Sequence, residues 1–241
     1  MKELNNFLIY GGVNSADYQI KITGEGTYKA PSPEFEKYSV PGRNGDLIRK
    51  SARKKYPNVE VTYQCLAMHD VDVNLRAWRD RMMSSTGYQK IEDTFHPDEY
   101  RMGIVSQAIE PEMGINLESG IFPLVFDCMP QRWLKDGQNA ITITASGTKI
   151  CNPTSQNALP LIYVYGSGTV DIGGVRFTIA SYSGSYIIID CDTMQCYRGV
   201  TNMGQYVTLS ETDYPVIEPG EHAITFSGPT RVDIIPRWWR L

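Results

Sequence analysis

Histidine is scarce in this 241-residue chain, and the patterns that usually give it work are missing. His69, His96 and His222 fall in no H-E-x-x-H, so no zinc-peptidase helix is on offer, and no G-x-S-x-G elbow supplies a hydrolytic serine. No run approaches the roughly 20 apolar residues of a membrane-spanning helix, and the apolar run within MKELNNFLIYGG is too short for a signal peptide. The chain is therefore expected to fold where it is made, with no membrane partner. The N-x-S/T match Asn152-Pro153-Thr154 carries proline in the excluded position. The five cysteines, Cys65, Cys128, Cys151, Cys191 and Cys196, are odd in number and widely scattered, which fits reduced thiols better than a disulfide framework. Lys and Arg form no stripe and the formal net charge is -4, so sequence-specific nucleic-acid binding is not expected. No fixed-period repeat and no low-complexity tract stands out.

What remains is an ordinary globular composition, 41% hydrophobic and 21% charged, in a chain long enough for one large all-β domain or, better, two domains. Most of it reads as short strands punctuated by Gly, Pro, Asn and Asp. In NVEVTYQC (58–65), Val59, Val61, Tyr63 and Cys65 share one face, the alternation of a half-buried strand. Similar runs occupy 6–10, 17–22, 100–109 and 121–128, the last expected near an edge or bulge because of Pro123. A single helix is expected from about 72 to 84: Leu75, Trp78 and Met82 recur at helical spacing, Asp70 or Asp72 caps the first turn, and Gly87 closes the end. After Trp133, the polar stretch LKDGQN marks a boundary, giving an N-terminal domain over 1–136 and a C-terminal one over 137–241. In the second half, TVDIGGVRF (169–177) sets Gly173-Gly174 between alternating runs, as a two-residue hairpin requires. Further turns at tight spacing predict a β-sandwich or barrel. The fold class is thus mainly β with one helix. The Trp-rich end, residues 232–241, needs burial and is expected to pack back on the first domain.

Several stretches invite a chemical reading. In IDCDTMQCYRG (189–199), Cys191 and Cys196 are expected to face each other across a hairpin with Thr193-Met194 at its tip. A zinc site lacks two of four ligands, so two strand thiols are favoured over zinc or a disulfide. DTFHPDEYRMG holds Asp93, His96, Asp98 and Glu99, a set that resembles metal ligands but is also an ordinary turn with its carboxylates in water, and the turn is favoured. GEGTYK (24–29) and GSGTVDIGG (166–174) run into β pattern with no helix behind them, so each is read as a hairpin turn. Glu110 and Glu112 suit glycoside hydrolysis only if a cleft sets their separation. VPGRNGDL (40–47) stacks two turn dipeptides, Pro41-Gly42 and Asn44-Gly45, around Arg43: either a solvated loop or a contact for a neighbouring subunit. Trp238 and Trp239 point to opposite sides of a strand, one toward core and one free to anchor a domain or subunit interface. No residue is assigned a catalytic, cofactor-binding or metal-binding role.

Taken in order, VPGRNGDL, DTFHPDEYRMG, FDCMPQRWLKDG, CNPTSQNALPLIYVYGSG, IDCDTMQCYRG, YPVIEPGEHAITFSG and DIIPRWWRL resemble the distal tail proteins of siphophages, over nearly the whole chain. That resemblance implies a structural protein of the virion tail tip, assembled in the bacterial host cytoplasm. It implies a homo-hexameric ring joining the tail tube protein to the tail-associated adhesin hub, and often to receptor-binding proteins, around a channel for DNA. The first domain would form the ring belt and the second would be a galectin-like β-sandwich. Six copies at -4 carry -24, which keeps DNA from sticking to such a lumen. The alternatives are a carbohydrate-binding module that uses exposed Tyr or Trp faces, and a cell-wall hydrolase with a carboxylate pair.

Overall fold

The computed structural model describes residues 6–23, 28–49, 55–114, 118–211 and 213–241. The chain divides into two compact units, Met1–Arg132 with Leu241, and Trp133–Arg240.

The first unit is built on one sheet, whose strands run in the order Val13–Asn14, Leu8–Tyr10, Gln89–Asp93, Glu99–Val105, Ser119–Leu134, Val59–Met68 and Ile20–Thr23. Alternation does the sorting: in Val59–Met68 the inward positions Val61, Tyr63, Cys65 and Ala67 are buried. The α-helix Val71–Met83 lays Val71, Leu75, Trp78 and Met82 onto this core, with the Trp78 ring 5.8 Å from Phe122.

Its ends differ from the expected caps. Asp70 is left-handed (φ 45°) and makes no side-chain cap; its carbonyl accepts from the Val73 and Asn74 amides instead. Asp72 pairs with Arg76 at 2.7 Å, one turn along. At the far end the Ser84 hydroxyl donates to the Arg81 carbonyl (2.8 Å), and Gly87 has no left-handed backbone with which to form a cap. The run at 17–22 is also split, a 3-10 turn Ser15–Tyr18 preceding the strand Ile20–Thr23.

Pro123 is not at an edge. Ser119–Leu134 lies between Glu99–Val105 and Val59–Met68, with Pro123 opposite Gln64. On the other flank, pairing passes from Glu112–Met113, opposite Gly120 and Ile121, to Ser106, whose amide donates to the Val125 carbonyl. The proline stands in that break, where a missing N–H leaves no ladder bond unmade.

The second unit is a β-sandwich. One sheet orders Ile141–Ile143, Arg231–Ile235, Leu161–Tyr165, Ile187–Asp190, Gln195–Arg198 and Thr201–Asn202; the other orders Thr148–Asn152, Gly220–Ser227, Gly168–Ile172, Val175–Ile179 and Val207–Leu209. Ile162, Val164, Ile187, Ile189, Val232 and Ile234 from the first meet Ile150, Val170, Ile172, Phe177, Ile179 and Ile224 from the second in a single core. The Gly173-Gly174 hairpin forms as expected, with φ of 60° and 83°. GSGTVDIGG behaves differently at its start: Leu161–Tyr165 and Gly168–Ile172 belong to different sheets, so Gly166-Ser167 is a crossover between layers and not a hairpin. The counterpart at 24–29 falls largely outside the described residues.

Candidate functional site

The stretch at 40–47 is the tip of a free-standing arm. Among the described residues Lys37–Tyr38 and Leu47–Ile48 pair with each other and with no other strand, and residues 32–49 are exposed throughout. Val40-Pro41-Gly42-Arg43 closes as a turn, the Arg43 amide donating to the Val40 carbonyl (3.2 Å) with Gly42 at φ 79°, where a side chain would be strained. Gly45 (φ 81°) supplies the second bend, so Asn44 and Arg43 ride at the tip. The Glu36 carboxylate braces the arm, accepting from the Tyr38 hydroxyl (3.0 Å) and Arg49 (3.1 Å). Yet the arm carries Phe35 and Ile48 at 54% exposure each, together with exposed Tyr38, Val40 and Leu47. Apolar side chains gathered on an exposed hairpin cost solubility.

The two closing tryptophans diverge. Trp238 is 5% exposed in the core of the second unit, packed so closely on Gly137 that a Cβ there would lie 2.4 Å from the Trp238 amide nitrogen. Trp239 is half-buried and donates its indole N–H to the Asn157 carbonyl at 2.9 Å. Of the stretch 232–241, the first four residues belong to Arg231–Ile235, an interior strand of the second unit, and Trp238 sits in that unit's core.

The cysteine corner departs from its sequence reading. Cys196 stands opposite Ile189, and Cys191 begins a four-residue loop that ends in left-handed Met194 (φ 54°). The two do not face each other across the ladder, and no disulfide joins them. Both thiols are free and buried, and burial pushes both up from the ordinary thiol range. The Asp190 carboxylate organises the corner: it accepts from the Asp192 and Thr193 amides and takes a two-pronged grip from Arg237 at 2.7 and 3.3 Å.

In the first unit, DTFHPDEYRMG forms the expected turn, but its carboxylates are not all in water. The Asp93 carboxylate accepts from the Tyr63 hydroxyl (2.7 Å), the His96 amide (2.8 Å) and His96 Nδ1 (3.1 Å), and Glu99 lies 3.6 Å from Arg132. The side chains of Asp93 and Glu99 are largely buried. With Asp93 committed to these donors and two guanidiniums, Arg101 and Arg132, lining the same small cavity, the arrangement is wrong for a cation. Among the described residues no group of three or more His, Cys, Asp or Glu is placed to hold a metal. Glu110 and Glu112 are both exposed.

Two features were not read from the sequence. Arg101 and Arg132 are buried on strands, and the signal for Arg101 lies in the alternation: it shares the inward face with Gly103, whose absent Cβ leaves room for Ile91 and Cys128. The outer face of the second unit's six-stranded sheet carries Tyr163 and Tyr165, with the Tyr186 ring 5.8 and 5.7 Å from them, and the Arg231 guanidinium lies 3.9 Å over Tyr165. The alternation of Tyr163 and Tyr165 with buried Ile162 and Val164 would have located it.

No protein-family model matches the chain, and no curated protein sequence matches it. Solved structures do. The Dit protein of phage SPP1, described as a paradigm of the hub adsorption apparatus in phages infecting Gram-positive bacteria, superposes with a TM-score of 0.69 at 13% identity, over 98% of this chain and 99% of that one. Chains of the phage P2 baseplate in its activated conformation match with a TM-score of 0.54 at 9% identity for the calcium form, covering 95% and 96%. For the strontium form the values are 0.51 and 10%, covering 98% and 97%. The fold is thus that of phage hub and baseplate proteins, shared from end to end.

Proposed function

We propose that the chain is a structural component of a bacteriophage tail tip, a distal tail protein that acts by assembly and not by catalysis. The fold shared along its whole length with a phage hub protein carries this reading. In it, six copies close a ring around a channel for DNA, with the tail tube protein on one side and the tail-associated adhesin hub, with receptor-binding proteins, on the other. The virion tail tip is its place of action, after folding in the host cytoplasm. The first unit forms the belt and the second, as a galectin-like sandwich, presents surface to partners.

The arm gives the ring a physical device. A closed ring needs a heterologous contact, one surface against a different one on the next copy, and the apolar hairpin with Pro41, Gly42, Arg43, Asn44 and Gly45 at its tip offers the first of these. Each contact would bury about 1,200–2,000 Å². Light scattering and negative-stain images test the reading: six times 27.1 kDa is about 163 kDa, and a ring is expected alone or with the tube protein present as a nucleus. A Phe35→Asp and Ile48→Asp double variant should stay folded and monomeric. Monomers under both conditions, with no binding to tube or hub proteins, would sink the proposal.

A carbohydrate-binding module is the second reading, favoured by one observation, the Tyr163, Tyr165 and Tyr186 face with Arg231 and Asp233 beside it. Calorimetric titration with wall polysaccharide separates the two, since loss of binding in Tyr165→Ala with assembly intact would add this role to the sandwich.

A further inference from the structure

The polar cluster of the first unit holds the root of the arm. The Arg101 Nη2 group donates to the Lys29 carbonyl at 2.7 Å, Tyr28 meets the His96 ring edge-on at 5.0 Å, and the Arg132 guanidinium lies 5.8 Å from the Tyr28 ring centre. Residues 28 and 29 lead directly into the exposed hairpin.

In this cluster His96 Nε2 and Arg101 Nη1 are buried with no hydrogen-bond partner within the protein. Arg101 is 6% exposed, and both residues line one cavity with Asp93, Glu99 and Arg132, offering about 10 Å³ of room for a water centre. That is about one molecule's worth. The chemistry of the two atoms is complementary. His96 Nδ1 faces the Asp93 carboxylate and so donates to it, and in that tautomer of the imidazole Nε2 is the acceptor. Arg101 Nη1 is a donor only. A halide could satisfy the arginine but not the imidazole lone pair, and a metal ion could take the lone pair but not the arginine donor, and would sit against two guanidiniums.

We infer that this cavity is a binding site for one ordered water, which donates to His96 Nε2, accepts from Arg101 Nη1, and thereby fixes the guanidinium that grips the Lys29 carbonyl. The arm is held by a clamp in which a solvent molecule is a structural part. This inference is independent of how copies assemble.

A crystal structure of the intact protein at about 1.5 Å, grown in bromide, tests it together with amide hydrogen exchange over residues 28–38. Expected are a water peak within hydrogen-bond distance of both atoms and no anomalous bromide signal. In His96→Leu, which removes the acceptor, exchange at the arm root should quicken roughly three- to tenfold, the effect of one hydrogen-bond bridge, and His96→Gln should restore most of the protection. A dry cavity, an anomalous peak in it, or either atom turned onto a protein partner overturns the water site. Unchanged arm exchange in a folded His96→Leu overturns the clamp, and if that variant does not fold, the wild-type density alone decides.

Discussion

The grip of Arg237 on Asp190 closes the second unit, and breaking it should be measurable in a way that tests the whole account of that corner. The Arg237 amide donates to the Gly137 carbonyl (2.7 Å), and its side chain reaches Asp190 with both prongs, so one residue ties the chain's last segment to the strand end that leads into the 191–194 loop and to the start of the unit. The Asp190 side chain is 8% exposed and that of Arg237 22%. Removing one partner of a fully buried pair costs roughly 3–5 kcal/mol because it strands a charge. Here the Asp192 and Thr193 amides still hold the carboxylate and water reaches the arginine, so Arg237→Ala should cost about 2–3 kcal/mol. Arg237 also sits at φ 56°, a left-handed backbone that costs a non-glycine residue about 1–2 kcal/mol, so Arg237→Gly should be milder by about 1 kcal/mol despite losing the same side chain.

Urea titration followed by tryptophan fluorescence reads this directly, because Trp133, Trp238 and Trp239 all lie in the second unit. In a double-mutant cycle with Asp190→Asn, the pair should show a coupling of about 1–2 kcal/mol. The pH dependence has a fixed sign. Burial pushes the Asp190 carboxyl up, but the Arg237 hydrogen bond and charge, with the Asp192 and Thr193 amides, outweigh it and hold the group below the ordinary carboxylate range. A depressed folded-state value means stability is present above the unfolded value of about 3.9 and is lost as pH falls through the folded one. The wild-type midpoint should therefore drop more steeply than that of Asp190→Asn on acidification below about pH 4. Equal acid profiles, or an Arg237→Ala protein with an unchanged midpoint, would refute the latch.

Three other outcomes follow from packing. Trp78 is fully buried with no partner for its indole N–H, so Trp78→Ala should destabilise the first unit by about 3–5 kcal/mol and Trp78→Phe by far less, as read by hydrogen exchange in residues 59–83. Gly137→Ala should cost about 1–3 kcal/mol in thermal melts of the second unit, since the added Cβ meets Trp238 backbone at 2.4 Å and its Cβ at 2.7 Å. Alkylation at pH 8 counted by mass spectrometry should label Cys151 alone in the native protein, because the other thiols are buried and burial drives Cys65 and Cys128 to about 12. A second native label on Cys191 or Cys196 would contradict the closed corner.

Much of the fold was legible because two periodicities do most of the sorting. The helix at 71–83 and the strand at 59–68 announce themselves through inward Trp78 and Val61, Tyr63 and Cys65, which burial then obeys. What failed to show was whatever depends on a partner distant in sequence. Pro123 reads as an edge or a bulge, and only the break in its neighbours' pairing decides against the edge, while Cys191 and Cys196 read as facing until register places Ile189 opposite Cys196. Asp70 reads as a side-chain cap because its left-handed backbone is set by its surroundings, not by its identity. The arm shows in the sequence as two turn dipeptides, but the exposure of Phe35 and Ile48 follows only from the hairpin's pairing with no other strand among the described residues.

The landmarks on which the family resemblance rests turn out to sit where geometry narrows the choice of residue. VPGRNGDL needs glycine at φ near 80° twice within a tight tip. DTFHPDEYRMG supplies Asp93, His96, Glu99 and Arg101 to one buried polar cluster, where each donor must meet its acceptor. CNPTSQNALP turns on Asn152, whose amide donates to the Gln156 and Ile217 carbonyls while its oxygen accepts from Thr154. IDCDTMQCYRG and DIIPRWWRL are the two halves of the Asp190–Arg237 latch. Core positions accept any apolar residue of fitting volume, so at 13% identity they preserve a fold without preserving a readable sequence. Turns with positive φ and buried hydrogen-bonded groups accept few, and these segments are the ones that lock the chain's loops and its end, not the ones that fill its core.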